Sequence, residues 1–261
     1  MALLKDNPGL NVNFDLGGGW SYLHTASFSG HAEVMKVLLA YPDINVNVKD
    51  NTGSTPVSCG CRFGRLSVVK LLLKDPRVDL TFSDDLGRTA LWWASKGGYL
   101  EVIEWLIASR RALGDLTQKG IWGSQTADFT AIEIARLLRR IQVAQLLERF
   151  VDNPTQTRHE LRVEFGILYE LAAELYAVIV FLCDDLLQLK PACTSTTCTA
   201  SATFAATTRF FEISSKLPME LQMILCHRAF GSMKQNILLK DSEAAFKSLA
   251  GTLILEPSRL N

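Results

Sequence analysis

The chain has 261 residues, enough for one large domain or two ordinary ones. Apolar residues make up 48% of it, which suffices for a buried core, and 27 basic residues balance 27 acidic ones. A formal charge of zero gives no ground for a nucleic-acid or membrane-surface partner.

The opening "MALLKDNP" carries a lysine and an aspartate where a secretory signal needs a longer apolar core, so a cytoplasmic or nuclear location is expected. "LLKDNPGLNVN" at 3–13 aligns with "LLAYPDINVN" at 38–47, and the chain therefore opens in the middle of a unit, a half repeat over 1–15. That start reads either as a cap or as the edge of a longer protein. Beyond it, an offset of 34 superimposes Gly19, Gly53 and Gly87, then Ser21, Thr55 and Thr89, then Leu23, Val57 and Leu91. Gly30, Gly64 and Gly98 follow in the same register, as do Val34, Val68 and Val102, and Leu38, Leu72 and Leu106. A period this long belongs to a supersecondary unit, here helix, turn, helix and extended finger, with full repeats at about 16–49, 50–83 and 84–116.

Each position has a local reason. Gly53 and Gly87 suit a tight turn. Thr55 and Thr89 then stand where a hydroxyl caps the helix that follows, and Gly30, Gly64 and Gly98 where that helix ends. Val34, Val37, Leu38 and Leu39, with Val68, Leu71, Leu72 and Leu73, give the second helix an apolar face, and Pro42 and Pro76 stop it. One unit cannot bury that face; stacked neighbours can.

A further copy follows at a longer offset. "TAIEIARLLRRIQVAQLLERF" aligns with "TALWWASKGGYLEVIEWLIAS" at a shift of 41, placing Thr130 on Thr89, Ala135 on Ala94 and Val143 on Val102. The seven extra residues belong in the finger near "QKGIWGSQTADF", and Arg139 replaces the terminating glycine. Arg136, Arg140, Gln145 and Glu148 give this degenerate repeat, over 117–152, the polar face of a unit near the end of a stack. The basic group Arg136, Arg139 and Arg140 reads as a solvated face in preference to a phosphate-binding patch.

The segments "DNTGSTPVSCGCRFGRLSVVKLLLKDPRVDLTF" and "DDLGRTALWWASKGGYLEVIEWLIASRRAL" resemble the ankyrin repeat, whose Thr-Pro-Leu-His hallmark survives as Ser21-Tyr22-Leu23-His24, Thr55-Pro56-Val57-Ser58 and Thr89-Ala90-Leu91-Trp92. The resemblance implies an all-α fold, an ankyrin-repeat solenoid over 1–152, followed by a C-terminal helical domain over 153–261. It also implies binding of another protein, through finger tips and exposed first-helix positions on the concave surface. Carried onto this sequence, those contact positions are Trp20, Phe28, Ser29, Asn51, Thr52, Ser54, Arg62, Phe63, Asp85, Leu86, Arg88 and Lys96. Phe28 and Phe63 stand out as aromatic anchors. Trp92 takes the place of the hallmark histidine, which in the family bridges neighbouring repeats, and an indole there is expected to fill space. Trp93 leans toward the groove as a candidate contact, and Trp105 is expected in the core.

After residue 155 the period vanishes. "RHELRVEFGILYELAAELYAVIVFLCDDLLQL" reads as one long helix or two nearly collinear ones; Glu170, Glu174, Asp184 and Asp185 leave its apolar run short of the roughly 20 residues that span a membrane. A Ser/Thr/Ala-rich linker near 190–208 precedes helices expected near 207–216, 218–230 and 241–254. Six cysteines show no Cys-x-x-Cys pair, so reduced, buried thiols are expected rather than a metal site. "LPMELQMILCHRAF" resembles the opening of an F-box, which would make Leu217–Leu225 a docking segment for a ubiquitin-ligase adaptor. The layout as a whole is similar to ankyrin proteins of mushroom-forming fungi.

Catalysis would need an acid, a base or a nucleophile with a partner. His24 and His31 are explained by the repeat, leaving His159 beside Glu160 and His227 beside Arg228. Brought together, these four would suit a small nuclease, the one reading that brings in nucleic acid. No nucleophile elbow, phosphate-binding loop or dinucleotide fingerprint appears in the sequence, and no cofactor is implied. The sequence thus points first to a protein-binding module, with the nuclease and the F-box-like adaptor as alternatives.

Overall fold

A hydroxyl opens the first helix of every repeat. Ser21, Thr55, Thr89 and Thr130 each accept a hydrogen bond from the backbone N–H three residues on, satisfying one of the donors a helix start leaves orphaned. The computed structural model describes residues 11–109, 111–122, 127–183, 211, 214, 217–229 and 245. Most of the half repeat, the Ser/Thr/Ala-rich linker and all but Phe211, Ser214 and Ala245 of the helices expected at 207–216 and 241–254 lie outside those residues.

Four helix pairs follow in order. They are α1 (Tyr22–Ser29) with α2 (Ala32–Leu39), α3 (Pro56–Arg62) with α4 (Leu66–Lys74), α5 (Ala90–Gly97) with α6 (Leu100–Ala108), and α7 (Ala131–Leu137) with α8 (Ile141–Asp152). In the first three pairs the turn between helices passes through a left-handed glycine, Gly30, Gly64 or Gly98; in the fourth, Arg139 adopts φ 56°. At Gly64 space adds to the demand, since a Cβ would lie 2.6 Å from the Tyr99 ring of the next repeat. The first helices α1, α3, α5 and α7 pack one on the next, and so do the second helices α2, α4, α6 and α8. Leu23, Val57 and Leu91 are buried in the first layer, and Leu38, Leu72 and Leu106 in the second. Val34 departs from the expected apolar face and is exposed, Met35 filling the buried position beside it.

Burying such side chains contributes about 1.5–3 kcal/mol each but has no direction. Register comes from polar bonds between neighbouring repeats. Asn13 donates to the Asp43 carbonyl at 2.9 Å and accepts from the Asn45 N–H at 2.8 Å; one period later Asn47 donates to Arg77 O at 2.7 Å and accepts from Asp79 N–H at 2.9 Å. Arg77 donates to the Leu39, Tyr41 and Pro42 carbonyls, where the preceding second helix leaves acceptors open, and Arg111 does the same at Asp75 and Pro76. Fingers are joined through backbone, with N–H groups of Asn51, Asp85 and Ile121 donating to Gly18, Thr52 and Leu86.

The imidazole of His24 accepts from the Ser21 N–H at Nδ1, 3.2 Å away, and lies 3.0 Å from the Ser54 carbonyl at Nε2. With Nδ1 accepting, Nε2 carries the proton and donates to the next finger. Trp92 stands in the same place in the third repeat and donates from Nε1 to the Phe129 carbonyl at 2.8 Å. The indole therefore does more than fill space, because it makes the inter-repeat bond the histidine makes elsewhere. Its acceptor lies 37 residues ahead where that of His24 lies 30 ahead. The difference of seven is the expected finger insertion, which forms an antiparallel pair of β1 (Gly120–Ile121) with β2 (Asp128–Phe129).

Of the two arrangements the sequence left open, one long helix or two, two helices follow. They are α9 (Pro154–Glu164) and α10 (Ile167–Cys183), broken at Gly166 with φ 71°. Contacts divide the chain into residues 1–161 and 162–261. Within the first unit α9 is tied to the repeats by Arg158, which donates to Ile107 O at 2.9 Å, and by Thr157, which donates to Arg149 O at 3.1 Å. In the second unit α10 packs on α11 (Met219–Ala229) through Ala172, Tyr176, Ile179 and Cys226. The fold is an all-α repeat solenoid with a further helical part, and no described helix is long and apolar enough to cross a membrane.

Two consequences are measurable. Burial lowers the pKa of His24 below 6.5, outweighing the opposing pull of the Ser54 hydrogen bond and of Asp50. Above pH 6.5 the ring is neutral folded or unfolded, so its arrangement is intact. As pH falls through that value the unfolded chain takes up a proton that the folded one refuses, and stability drops. Urea midpoints between pH 7.5 and 5.5 should fall more steeply for the wild type than for His24→Asn; equal slopes would refute the assignment. At Arg139, relief of left-handed strain of about 1–2 kcal/mol should outweigh the extra unfolded-state entropy of glycine, about 0.5–1 kcal/mol. Arg139→Gly should accordingly raise the urea midpoint.

Candidate functional site

In the second and third repeats the turn at the finger base is built on an aspartate. Asp50 Oδ1 accepts from the N–H groups of Thr52 and Ser54, and Asp84 Oδ1, one period later, from those of Leu86 and Arg88. Asp84 goes further. Its carboxylate is fully buried, and Oδ2 accepts from Arg88 Nε at 2.8 Å and from Trp93 Nε1 at 3.3 Å. Both oxygens are thus committed, and they fix the Trp93 indole and the Arg88 stem in one place.

Trp93 is 3% exposed, which removes it from the surface where it was expected to make contact. Cations lie over its ring. The Arg62 guanidinium lies 4.3 Å from its ring centroid, that of Arg88 4.4 Å and the Lys96 ammonium 4.9 Å. Cation–π attraction holds each over the ring. Lys96 loses part of its hydration here and faces two like charges, and its pKa is lowered by burial first and then by Arg62 and Arg88. Among the described residues Arg62 and Lys96 make no ion pair, while Arg88 pairs with Asp84 through Nε alone.

Aromatic side chains continue the row toward the first repeat. Phe28, 44% exposed, meets Phe63 edge to face at 4.6 Å, and Arg62 also lies 5.4 Å from the Phe63 ring. On the other side of Phe28 stands Trp20 at 6.4 Å, itself stacked on His24 at 5.1 Å. Beyond Trp93, Lys96 reaches to 5.8 Å from Trp122, a residue the sequence reading did not single out. At the finger tips Asn51, Thr52, Asp85 and Leu86 are exposed, but Ser54 is buried, its backbone carbonyl serving His24. Ser29 is half-buried. Trp105, expected in the core, is half-buried under Lys70 at 4.3 Å.

The residues of the alternatives are placed as follows. His159 and Glu160 are exposed on α9, Glu160 accepting from Gln156 at 2.8 Å; His227 is buried on α11 with its ring 6.1 Å from Tyr169, and Arg228 is exposed. His159 belongs to the first unit and His227 to the second, so the nuclease reading rests on the sequence alone. In the F-box-like stretch Met219 and Leu221 are exposed, while Gln222 and Cys226 are buried. Among the described residues no cluster of His, Cys, Asp or Glu is placed to hold a metal ion. Cys59, Cys61 and Cys226 are free and buried; burial pushes the thiols of Cys59 and Cys226 up to about 12 and that of Cys61 higher still, which leaves all three poor nucleophiles.

Helix pairs stacked in one register, joined by fingers and presenting a row of side chains across neighbouring units, define a repeat-array protein of the interaction type. Residues 1–84 and 44–119 match the family model of ankyrin repeats, in three copies, and this part of the chain is an ankyrin-repeat array. The fourth helix pair, beyond the match, continues the same packing. No curated protein matches the chain.

Asp84→Ala should cost about 3 kcal/mol of unfolding free energy, because it strands a mostly buried Arg88 and frees the Trp93 indole N–H. Urea unfolding would measure this, and a loss under 1 kcal/mol would remove Asp84 from its organising role.

Proposed function

We propose that the chain is a protein–protein interaction module that holds its partner on the concave ankyrin surface, with Phe28, Phe63, Arg62, Arg88 and Lys96 in direct contact and Trp93 as the floor beneath them. The observation that carries this is the continuity of the row. From Trp20 through Phe28, Phe63, Arg62, Trp93 and Lys96 to Trp122, each side chain lies within interaction distance of the next, and the row crosses successive repeats. Its members are already fixed by one another, so a partner meets a surface whose ordering cost has been met in folding. Aromatic and arginine side chains grouped at the centre of a patch are the usual anchors of an interface. The exposed tips Asn51, Thr52, Asp85 and Leu86 would form its rim. Free thiols at Cys59, Cys61 and Cys226 favour a reducing compartment, and we place the protein in the cytoplasm.

The test is a selection of binders from a random peptide display library on the full-length chain, followed by affinity measurement on wild type and on Phe28→Ala/Phe63→Ala. The double variant should bind the selected peptides at least about tenfold more weakly, as for loss of a central anchor, with its circular dichroism spectrum unchanged. Failure to select any binder, or binding indifferent to the two phenylalanines, would overturn the reading.

A further inference from the structure

Around Trp93 the charges do not balance. Arg62, Arg88 and Lys96 gather within 5 Å of one ring centroid, while the carboxylate that serves them, Asp84, is buried beneath with both oxygens occupied. Asp84 neutralises Arg88 and leaves the equivalent of two positive charges uncompensated. The cations' remaining donors are also unclaimed. Among the described residues the two terminal nitrogens of Arg88, the guanidinium of Arg62 and the ammonium of Lys96 have no hydrogen-bond acceptor. A site that keeps three cations together in this way bears a standing repulsion, visible at Lys96, where burial and the two arginines all work against its charge. Bringing an anion to the cluster would relieve that repulsion and supply acceptors for charge-assisted hydrogen bonds.

The neighbouring surface narrows the anion to one carried on a chain. Next to the cations, on the Arg62 side, the exposed Phe28 set against the half-buried Phe63 offers an apolar contact that a small free anion would leave unused. We propose that the Arg62–Arg88–Lys96 cluster receives an aspartate or glutamate side chain of the partner, with an apolar partner residue nearby seated on Phe28 and Phe63. The partner segment is therefore acidic and amphipathic. This inference rests on the reading of the same face as a binding surface and adds the chemistry of what binds there. Arg88 is the donor positioned by Asp84, and Arg62 and Lys96, held over Trp93, flank it as clamps. Trp93 serves as an uncharged platform that lets the cations approach one another without a second buried carboxylate.

The selection described above also tests this claim. Selected peptides should be enriched in Asp and Glu close to an apolar residue, and replacing those acids by Asn and Gln should weaken binding to the full-length chain by on the order of tenfold in fluorescence anisotropy. The charge reversal Arg62→Glu/Lys96→Glu should cause a similar loss, and a selection repeated on it should favour Lys and Arg instead. Affinity of the wild type should also fall as salt rises. Peptides without an acidic excess, or amide versions that bind as well as the acids, would overturn the proposal while leaving the binding surface in place. So would inorganic phosphate displacing the selected peptides at low millimolar concentration, since that would mark a site for a small free anion. Binding indifferent to Phe28→Ala/Phe63→Ala would instead remove the surface itself, so the two failures are distinct.

Discussion

Everything in the repeat region depends on a translation held constant by polar bonds. Apolar burial between layers would tolerate a slip of one helix along another, because Leu38, Leu72 and Leu106 are much alike to their neighbours. The directional bonds do not tolerate it. Asn13 and Asn47 each donate and accept across one junction, and Arg77 and Arg111 each reach the carbonyls that end the preceding second helix. Misplacing either forfeits these bonds, each worth about 0.5–1.5 kcal/mol net. The same offset of 34 therefore recurs in glycines, caps and bridging side chains together. A sequence with the apolar pattern alone would stack without a fixed alignment.

That alignment also makes the candidate site. Arg62 ends α3 in one repeat, while Trp93 and Lys96 belong to α5 in the next and Arg88 to the turn before it. Only when the two units sit in register does the guanidinium of one cover the indole of the other. Phe28 and Phe63 meet by the same logic one junction earlier. The site is thus a property of the junctions between repeats, and its stiffness is that of the stack. Asp84 links the two levels, since Oδ1 closes the finger turn and Oδ2 anchors Arg88 and Trp93.

Much of this was legible in the sequence, and the limit falls in a definite place. Caps at Thr55 and Thr89, turns at Gly64 and Gly98 and the finger insertion before Thr130 are local or periodic features, and each shows in the spacing of residue types. Phe28, Phe63, Arg62, Arg88 and Lys96 could be named as surface positions, but not the contacts of Phe28 with Phe63 and of Arg62 with Trp93, since these cross junctions at separations of roughly one period. Trp93, over which Arg62 reaches from the neighbouring repeat, is buried where the sequence had placed it at the surface. Asp84 did leave a signal, as the periodic partner of Asp50, and only the period makes it visible. Outside the repeats no such translation exists, so nothing in the spacing said that the helix would break at Gly166 or bury His227.

The tandem Trp92–Trp93 joins the two demands. One ring holds the junction and its neighbour, edge to face at 5.2 Å, holds the cations. An imidazole at the Trp92 position would make the inter-repeat bond as His24 does, but it would carry a titratable group into the area next to Arg88 and Lys96. Protonated there, it would add a fourth cation to three already unbalanced. Indole donates from Nε1 without ever titrating in this range, and its face attracts the same cations that a histidinium would repel. The departure from the hallmark at this one repeat is therefore the choice that lets a junction bond and a cationic cluster occupy the same place, whereas at His24, distant from the cluster in the sequence of repeats, the histidine is compatible with its surroundings.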